Sequence, residues 1–130
     1  GDVISIEGGL SVFDAIKLMA DRAVGSLLVM DIGKLVGIVT ERDYARKVIL
    51  KGRSSETTSV EEIMTTEVLT ATAEQTVNEC MTLMTEKRIR HLPIVEDDKV
   101  IGIISIGDLV QAIISDQREE IEQLENYISG

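Results

Sequence analysis

The sequence predicts an α/β fold of the α+β type, built from two tandem β-α-β-β-α repeats. Three observations carry this. Shifting residues 68–114 back by 65 places lays them on residues 3–49 without a gap, and ten positions are then identical, among them Val12/Val77, Met19/Met84, Leu27/Leu92, Gly37/Gly102 and Asp43/Asp108. Within each copy, apolar residues at helical spacing precede two short apolar runs separated by a polar turn. Both copies also close on related polar endings, Gly37-Ile38-Val39-Thr40-Glu41-Arg42-Asp43 against Gly102-Ile103-Ile104-Ser105-Ile106-Gly107-Asp108. A period this long marks two copies of one supersecondary unit, each needing a neighbour to cover its apolar face.

In copy one, Val3–Ile6 is a short extended start. Ser11 caps a helix from Val12 to about Ala23, with Val12, Ile16, Met19 and Ala23 on one stripe. Leu27–Met30 is a continuous apolar strand, turned by Asp31-Ile32-Gly33-Lys34 into a second strand, Leu35–Val39. Thr40 opens a helix running from Arg42 to about Leu50. Residues 51–58 read as a polar linker, in which Arg53, Ser54 and Ser55 form a solvated loop or close over a phosphate. Val60–Met64 reads as a short helical lead-in to copy two.

There Thr76 opens a helix over Val77–Lys87, and Leu92–Val95 and Val100–Ile104 form the hairpin across Glu96–Lys99. Pro93, the only proline, sits at a strand start, where a missing N–H matters least. A final helix is expected from Leu109 to Ile128, with Leu109, Ile113, Ile121, Leu124 and Ile128 as an apolar stripe on an otherwise acidic surface. The boundaries so read are 1–55 for repeat one, 56–116 for repeat two and 117–130 for the helical extension.

Composition narrows the function. The net charge of −10 argues against a broad phosphate-neutralising surface, and Phe13, Tyr44 and Tyr127 are too few aromatics for base-stacking platforms. Nucleic acid is therefore not an expected partner, although a small nucleotide needs only a local site. No apolar run reaches membrane-spanning length. Cys80 is the only cysteine, which fits a reducing compartment, and it and the five methionines fit core packing. The location expected is cytoplasmic, or an organellar matrix if an upstream targeting peptide is removed. No Ser/His/Asp constellation, Cys/His ligand spacing or phosphate-binding glycine loop points to catalysis or to a metal.

The endings carry the chemistry. A helix beginning at Thr40 directs its first-turn N–H groups and positive dipole end outward, a seat for phosphate. Thr40 and Arg42 add a hydroxyl and a cation, and Asp43, one turn in, can accept hydrogen bonds from a vicinal diol. The same spacing is also a capping box, and the two roles can coexist. Copy two offers Ser105 and Asp108 but has Gly107 in place of the cation, and it carries Arg90 and His91 where copy one has Gly25 and Ser26.

The long repeat, the Val60-Glu61-Glu62-Ile63-Met64-Thr65 lead-in, the strand Arg90-His91-Leu92-Pro93-Ile94-Val95 and the two endings together resemble the tandem CBS-domain pair, or Bateman module. Thr40–Ser55 and the acidic C-terminal helix resemble small stand-alone pairs of bacteria and plant organelles. The resemblance implies two repeats packed through their sheets, with two equivalent clefts and a homodimer. It implies adenosine ligands (AMP, ADP, ATP, NAD or S-adenosylmethionine), with no required cofactor and no catalysis. A monophosphate or dinucleotide suits the cations near each cleft. By position, the resemblance places Ile4, Ile6, Val24 and Ser26, with Leu69, Ala71, Arg90 and His91, around the ligand, beside Thr40, Arg42, Asp43, Ser105 and Asp108. It implies a regulatory sensor acting on a partner protein. Competing expectations are a ligand-free oligomerisation scaffold and a regulator of thioredoxin-type redox partners.

Overall fold

Ser11 lies in extended backbone, and its Oγ accepts the Asp14 N–H at 3.1 Å, which starts helix α1, Val12–Arg22. The helix stops at Ala23, held in the left-handed region at φ 55°, and the next N–H, of Val24, returns to the Met19 carbonyl at 3.0 Å. Thr76 and Arg88 do the same for α3, Val77–Lys87, with Arg88 at φ 54° and Ile89 N–H bonded to the Met84 carbonyl at 3.0 Å. The structure, a computed structural model, describes residues 3–129 and the side chains as far as Glu119. It divides into two units, residues 3–69 and 70–129.

In the first unit, β1 (Ser5–Glu7) runs parallel to β2 (Ser26–Asp31), which is antiparallel to β3 (Lys34–Thr40). Ile6, Leu27, Val29 and Val39 meet Val12, Ala15 and Met19 of α1 in the core. Helix α2, Glu41–Tyr44, was expected to continue as one α-helix to about Leu50; instead Ala45–Ile49 forms a wider π turn, closed by Leu50 N–H on the Ala45 carbonyl at 3.0 Å. Within that turn Val48 enters the core. The second unit has a two-stranded sheet, β4 (His91–Glu96) with β5 (Lys99–Ser105), and its extended start is reduced to a single parallel bridge from Ala71 to Ile94. Its core joins Ala71, Cys80, Met84, Leu92 and Leu109. Helix α4 runs from Ile106 to Ser129, beginning three residues earlier than expected because Ser105 caps it; Ile121, Leu124 and Ile128 of the predicted stripe lie outside the described side chains.

The stretch 51–58 is a loop whose side chains are mostly exposed, as a polar linker should be, but its backbone also serves α1. The first-turn N–H groups of α1 need acceptors, and this stretch supplies them: Val12 N–H bonds the Thr58 carbonyl at 2.8 Å and Phe13 N–H the Ser55 carbonyl at 2.9 Å. Thr58 itself is buried, its hydroxyl on the Ser54 carbonyl at 2.7 Å. The lead-in follows as a 3₁₀ turn at Val60–Glu62, and Val60 and Ile63 fill the core of the first unit, while Thr65 bridges Ile38. By repeat these residues introduce copy two; by packing they complete copy one.

Both hairpins use two-residue turns with positive φ at each central residue: Ile32 and Gly33 in the first, Asp97 and Asp98 in the second. Ile32 is unsuited to this. It is β-branched, sits at φ 48° and is 94% exposed, so it carries the left-handed steric cost without burial to offset it. Ile32→Asn is therefore expected to raise stability by about 1 kcal/mol, read as a higher urea midpoint at unchanged slope. An unchanged or lower midpoint would refute the strain.

Candidate functional site

Thr40 ends β3 in extended backbone, directly across the ladder from Ser26. Its Oγ1 accepts the Asp43 N–H at 3.1 Å, and Asp43 Oδ2 in return accepts the Thr40 N–H at 3.0 Å and the Thr40 hydroxyl at 3.1 Å. The Glu41 N–H bonds the Gly25 carbonyl at 3.1 Å. The amides of Thr40, Glu41 and Asp43 are thus committed within the protein, which narrows the amide seat expected for phosphate. What the turn presents is a carboxylate: Asp43 is half-buried, with Oδ1 facing Lys47 Nζ at 3.1 Å.

The second unit reproduces this 65 residues later. His91 stands across from Ser105, whose N–H donates to Asp108 Oδ2 at 2.9 Å and whose Oγ accepts the Asp108 N–H at 3.1 Å. The Ile106 N–H bonds the Arg90 carbonyl at 3.0 Å. The Ser105 amide is the main influence holding the Asp108 carboxyl below the usual range; burial opposes it, and the Ser105 hydroxyl and the nearby His91 imidazole add to it. A depressed folded-state pKa contributes stability above the unfolded value, about 3.9, that is lost as pH falls through the folded value. Asp108→Asn is expected to remove this acid-limb dependence, seen as a flatter fall of melting temperature between about pH 5 and pH 2. An unaltered slope would show that Asp108 is not held.

The expected residues distribute unevenly. Ser26, Thr40 and Asp43 come together in the first unit, and Arg90, His91, Ser105 and Asp108 in the second, while the side chains of Arg42 and Arg90 are exposed. Ile4 accepts the Leu28 N–H at 3.1 Å through its carbonyl, and Val24 packs half-buried on the core. Ile6 and Ala71 are core residues, and Ala71 spends its N–H on the Pro93 carbonyl at 3.0 Å and its carbonyl on the Val95 N–H at 2.8 Å. Leu69 is exposed at the end of the first unit. Arg53 is engaged with Glu62 at 2.7 Å. An open groove of about 830 Å³ lined by Ile6, Glu7, Asp14, Lys17, Asp21 and Ile32 includes none of the Thr40–Asp43 turn. The reading of the sequence missed Lys47, although its place four residues after Asp43 is a known helical pairing. Cys80 is buried, and burial pushes its thiol up. Among the described residues no His, Cys, Asp or Glu cluster could hold a metal, and no helix is long and apolar enough to cross a membrane.

Two β-hairpin-and-helix units with register-matched polar turns define a tandem-repeat module. The chain belongs to the CBS-domain family, whose model matches residues 1–50 and 60–115. It is 48% identical over 125 residues to the mitochondrial CBS domain-containing protein CBSX3 of Arabidopsis thaliana, covering 92% of this chain and 61% of that one. It is 33% identical over 107 residues to CBS domain-containing protein YhcV of Bacillus subtilis, covering 82% and 76%. The chain thus spans about three fifths of the length of the plant relative. Among solved structures, a CBS-domain protein from Burkholderia ambifaria is 54% identical with a TM-score of 0.86, over 89% of this chain and 85% of that one. The CBS domain pair of protein MJ0100, solved in complex with 5′-methylthioadenosine and S-adenosyl-L-methionine, is 29% identical with a TM-score of 0.81, over 89% and 91%. A hexameric CBS-CP12 protein from bloom-forming cyanobacteria is 33% identical with a TM-score of 0.77, over 84% and 64%. CBS-domain proteins are in general regulatory, non-catalytic modules.

Proposed function

We propose that this chain is a regulatory module that senses an adenosine nucleotide of the AMP, ADP, ATP or NAD class and modulates a partner protein without catalysis of its own. The observation that carries the reading is the recurrence, 65 residues apart, of a carboxylate placed one turn into a helix beside a strand end: Asp43 with Thr40, and Asp108 with Ser105. Two such carboxylates are suited to the paired hydroxyls of ribose, which are donors seeking acceptors. The adenosine moiety shared by the two ligands of the MJ0100 pair supports the same class. The exposed Arg42 and Arg90 guanidinium groups suit a monophosphate or a dinucleotide. A homodimer in the cytoplasm or an organellar matrix is the expected working state.

A second reading, a ligand-free scaffold, is favoured by one specific observation: one oxygen of each carboxylate, Oδ2, is already used in a capping box. Calorimetric titration of AMP, ADP, ATP, NAD and S-adenosylmethionine separates the two. Saturable binding weakened about tenfold or more at one site by Asp43→Ala, and at the other by Asp108→Ala, is the expected result, the size being that of a charge-assisted hydrogen bond. Absence of binding by folded wild type across the panel would favour the scaffold, in which each substitution costs only the cap, about 1 kcal/mol.

A further inference from the structure

The Asp43 carboxylate belongs to more than its capping box. Oδ2 serves Thr40, while Oδ1 faces Lys47 Nζ at 3.1 Å, and the same ammonium donates to the Ile63 carbonyl at 2.8 Å. The Asp43 side chain is 13% exposed and that of Lys47 44%, so the pair is sheltered on the acid's side only. Ile63 is fully buried and closes the 3₁₀ turn. Met64 beside it donates its N–H to the Val60 carbonyl at 3.0 Å, and Thr65 exchanges both backbone bonds with Ile38, at 2.9 and 3.0 Å. Residues 63–69 are also the stretch by which the chain leaves the first unit. One ammonium therefore ties the candidate ribose-binding oxygen to the exit segment. The second repeat has no counterpart, because Ala112 occupies the position 65 residues on from Lys47.

We propose that Lys47 is a positioning residue that couples occupancy of the first site to residues 63–69. It holds Asp43 Oδ1 in the empty state. A vicinal diol that donates to this oxygen displaces the ammonium, weakens its bond to the Ile63 carbonyl and loosens the exit segment. The proposal rests on the reading of Asp43 as a ribose acceptor. It makes the two sites unequal: the first reports its ligand to the inter-repeat segment through Lys47, and the second does not.

The test is hydrogen exchange of the full chain with and without saturating AMP, for wild type, Lys47→Met, Lys47→Arg and Asp43→Ala, with AMP affinity measured alongside. Lys47→Met keeps the aliphatic stem and removes the charge; Lys47→Arg keeps a donor. In wild type, AMP is expected to speed exchange of the Met64 and Thr65 amides about fivefold or more, the range of an ordinary coupling between sites. In Lys47→Met these amides are already fast and AMP adds nothing further. In Lys47→Arg the response returns. Binding that is lost in Asp43→Ala, with exchange of residues 63–69 in wild type unchanged or slowed by AMP, overturns the coupling and leaves the site. Absence of AMP binding, or binding indifferent to Asp43→Ala, overturns the site and the coupling with it.

Discussion

Truncation of Ile63 to alanine is expected to destabilise the first unit by about 3 kcal/mol, the middle of the range for a large aliphatic side chain removed from a packed core. Ile63 is 1% exposed and sits with Val60 among Val12, Met19, Leu27 and Val39, so the cavity left behind would be lined by strand and helix residues already held by hydrogen bonds. Collapse around it is limited on that account. The comparison residue is Ile101, 49% exposed on β5, where the same truncation removes a side chain that is half in water and is expected to cost less than about 1 kcal/mol. Urea unfolding gives the two losses, and exchange of the β2–β3 amides shows which unit carries the first. A loss near that of Ile101→Ala would mean that the lead-in merely rests on the first unit.

That expectation exposes what could and could not be seen in the residues alone. The repeat was legible because its geometry obeys the same offset as its letters. The left-handed caps Ala23 and Arg88, the turn pairs Ile32-Gly33 and Asp97-Asp98, and the register shifts after Val29 and Ile94 all fall 65 residues apart. Strand and helix types followed from apolar spacing, and the Thr40/Asp43 and Ser105/Asp108 pairs were visible as three-residue steps at strand ends. The allegiance of residues 56–69 was not visible. An apolar pattern such as Val60, Ile63 and Met64 states that a face is buried, not against which copy, and the acceptors for the Val12 and Phe13 amides are backbone carbonyls, which every residue possesses. The π turn at Ala45–Ile49 has no compositional mark either. Lys47 lay in plain view four residues after Asp43, but its second bond, to the Ile63 carbonyl, depends on the same unread packing.

Gly37 carries the other large expected effect, and it tests that packing from the sheet side. A Cβ placed there would stand 2.6 Å from Met64 Sδ, 3.0 Å from Met64 Cγ and 3.0 Å from the Thr65 carbonyl oxygen, whereas a Cβ at the equivalent Gly102 would meet nothing within 4 Å. Gly37→Ala is therefore expected to cost about 2 kcal/mol, as an overpacked core site does, and Gly102→Ala close to nothing. The cost has two parts that can be separated. The Met64 thioether is the flexible end of a long side chain and can move or be removed; the Thr65 carbonyl is backbone, held by the Ile38 N–H at 3.0 Å, and cannot retreat without breaking that bridge. Met64→Ala alone loses buried surface. Combined with Gly37→Ala it also removes the nearer clash, so the double variant should be more stable than the sum of the two single losses by roughly 1 kcal/mol, a coupling expected only of residues in contact. Complete rescue would place the whole penalty in the thioether, and strict additivity would show that Met64 does not lie over Gly37 at all. Partial rescue is the expected outcome, because the carbonyl contact survives in the double variant, and it would tie the strand that carries Thr40 directly to the segment that Lys47 holds.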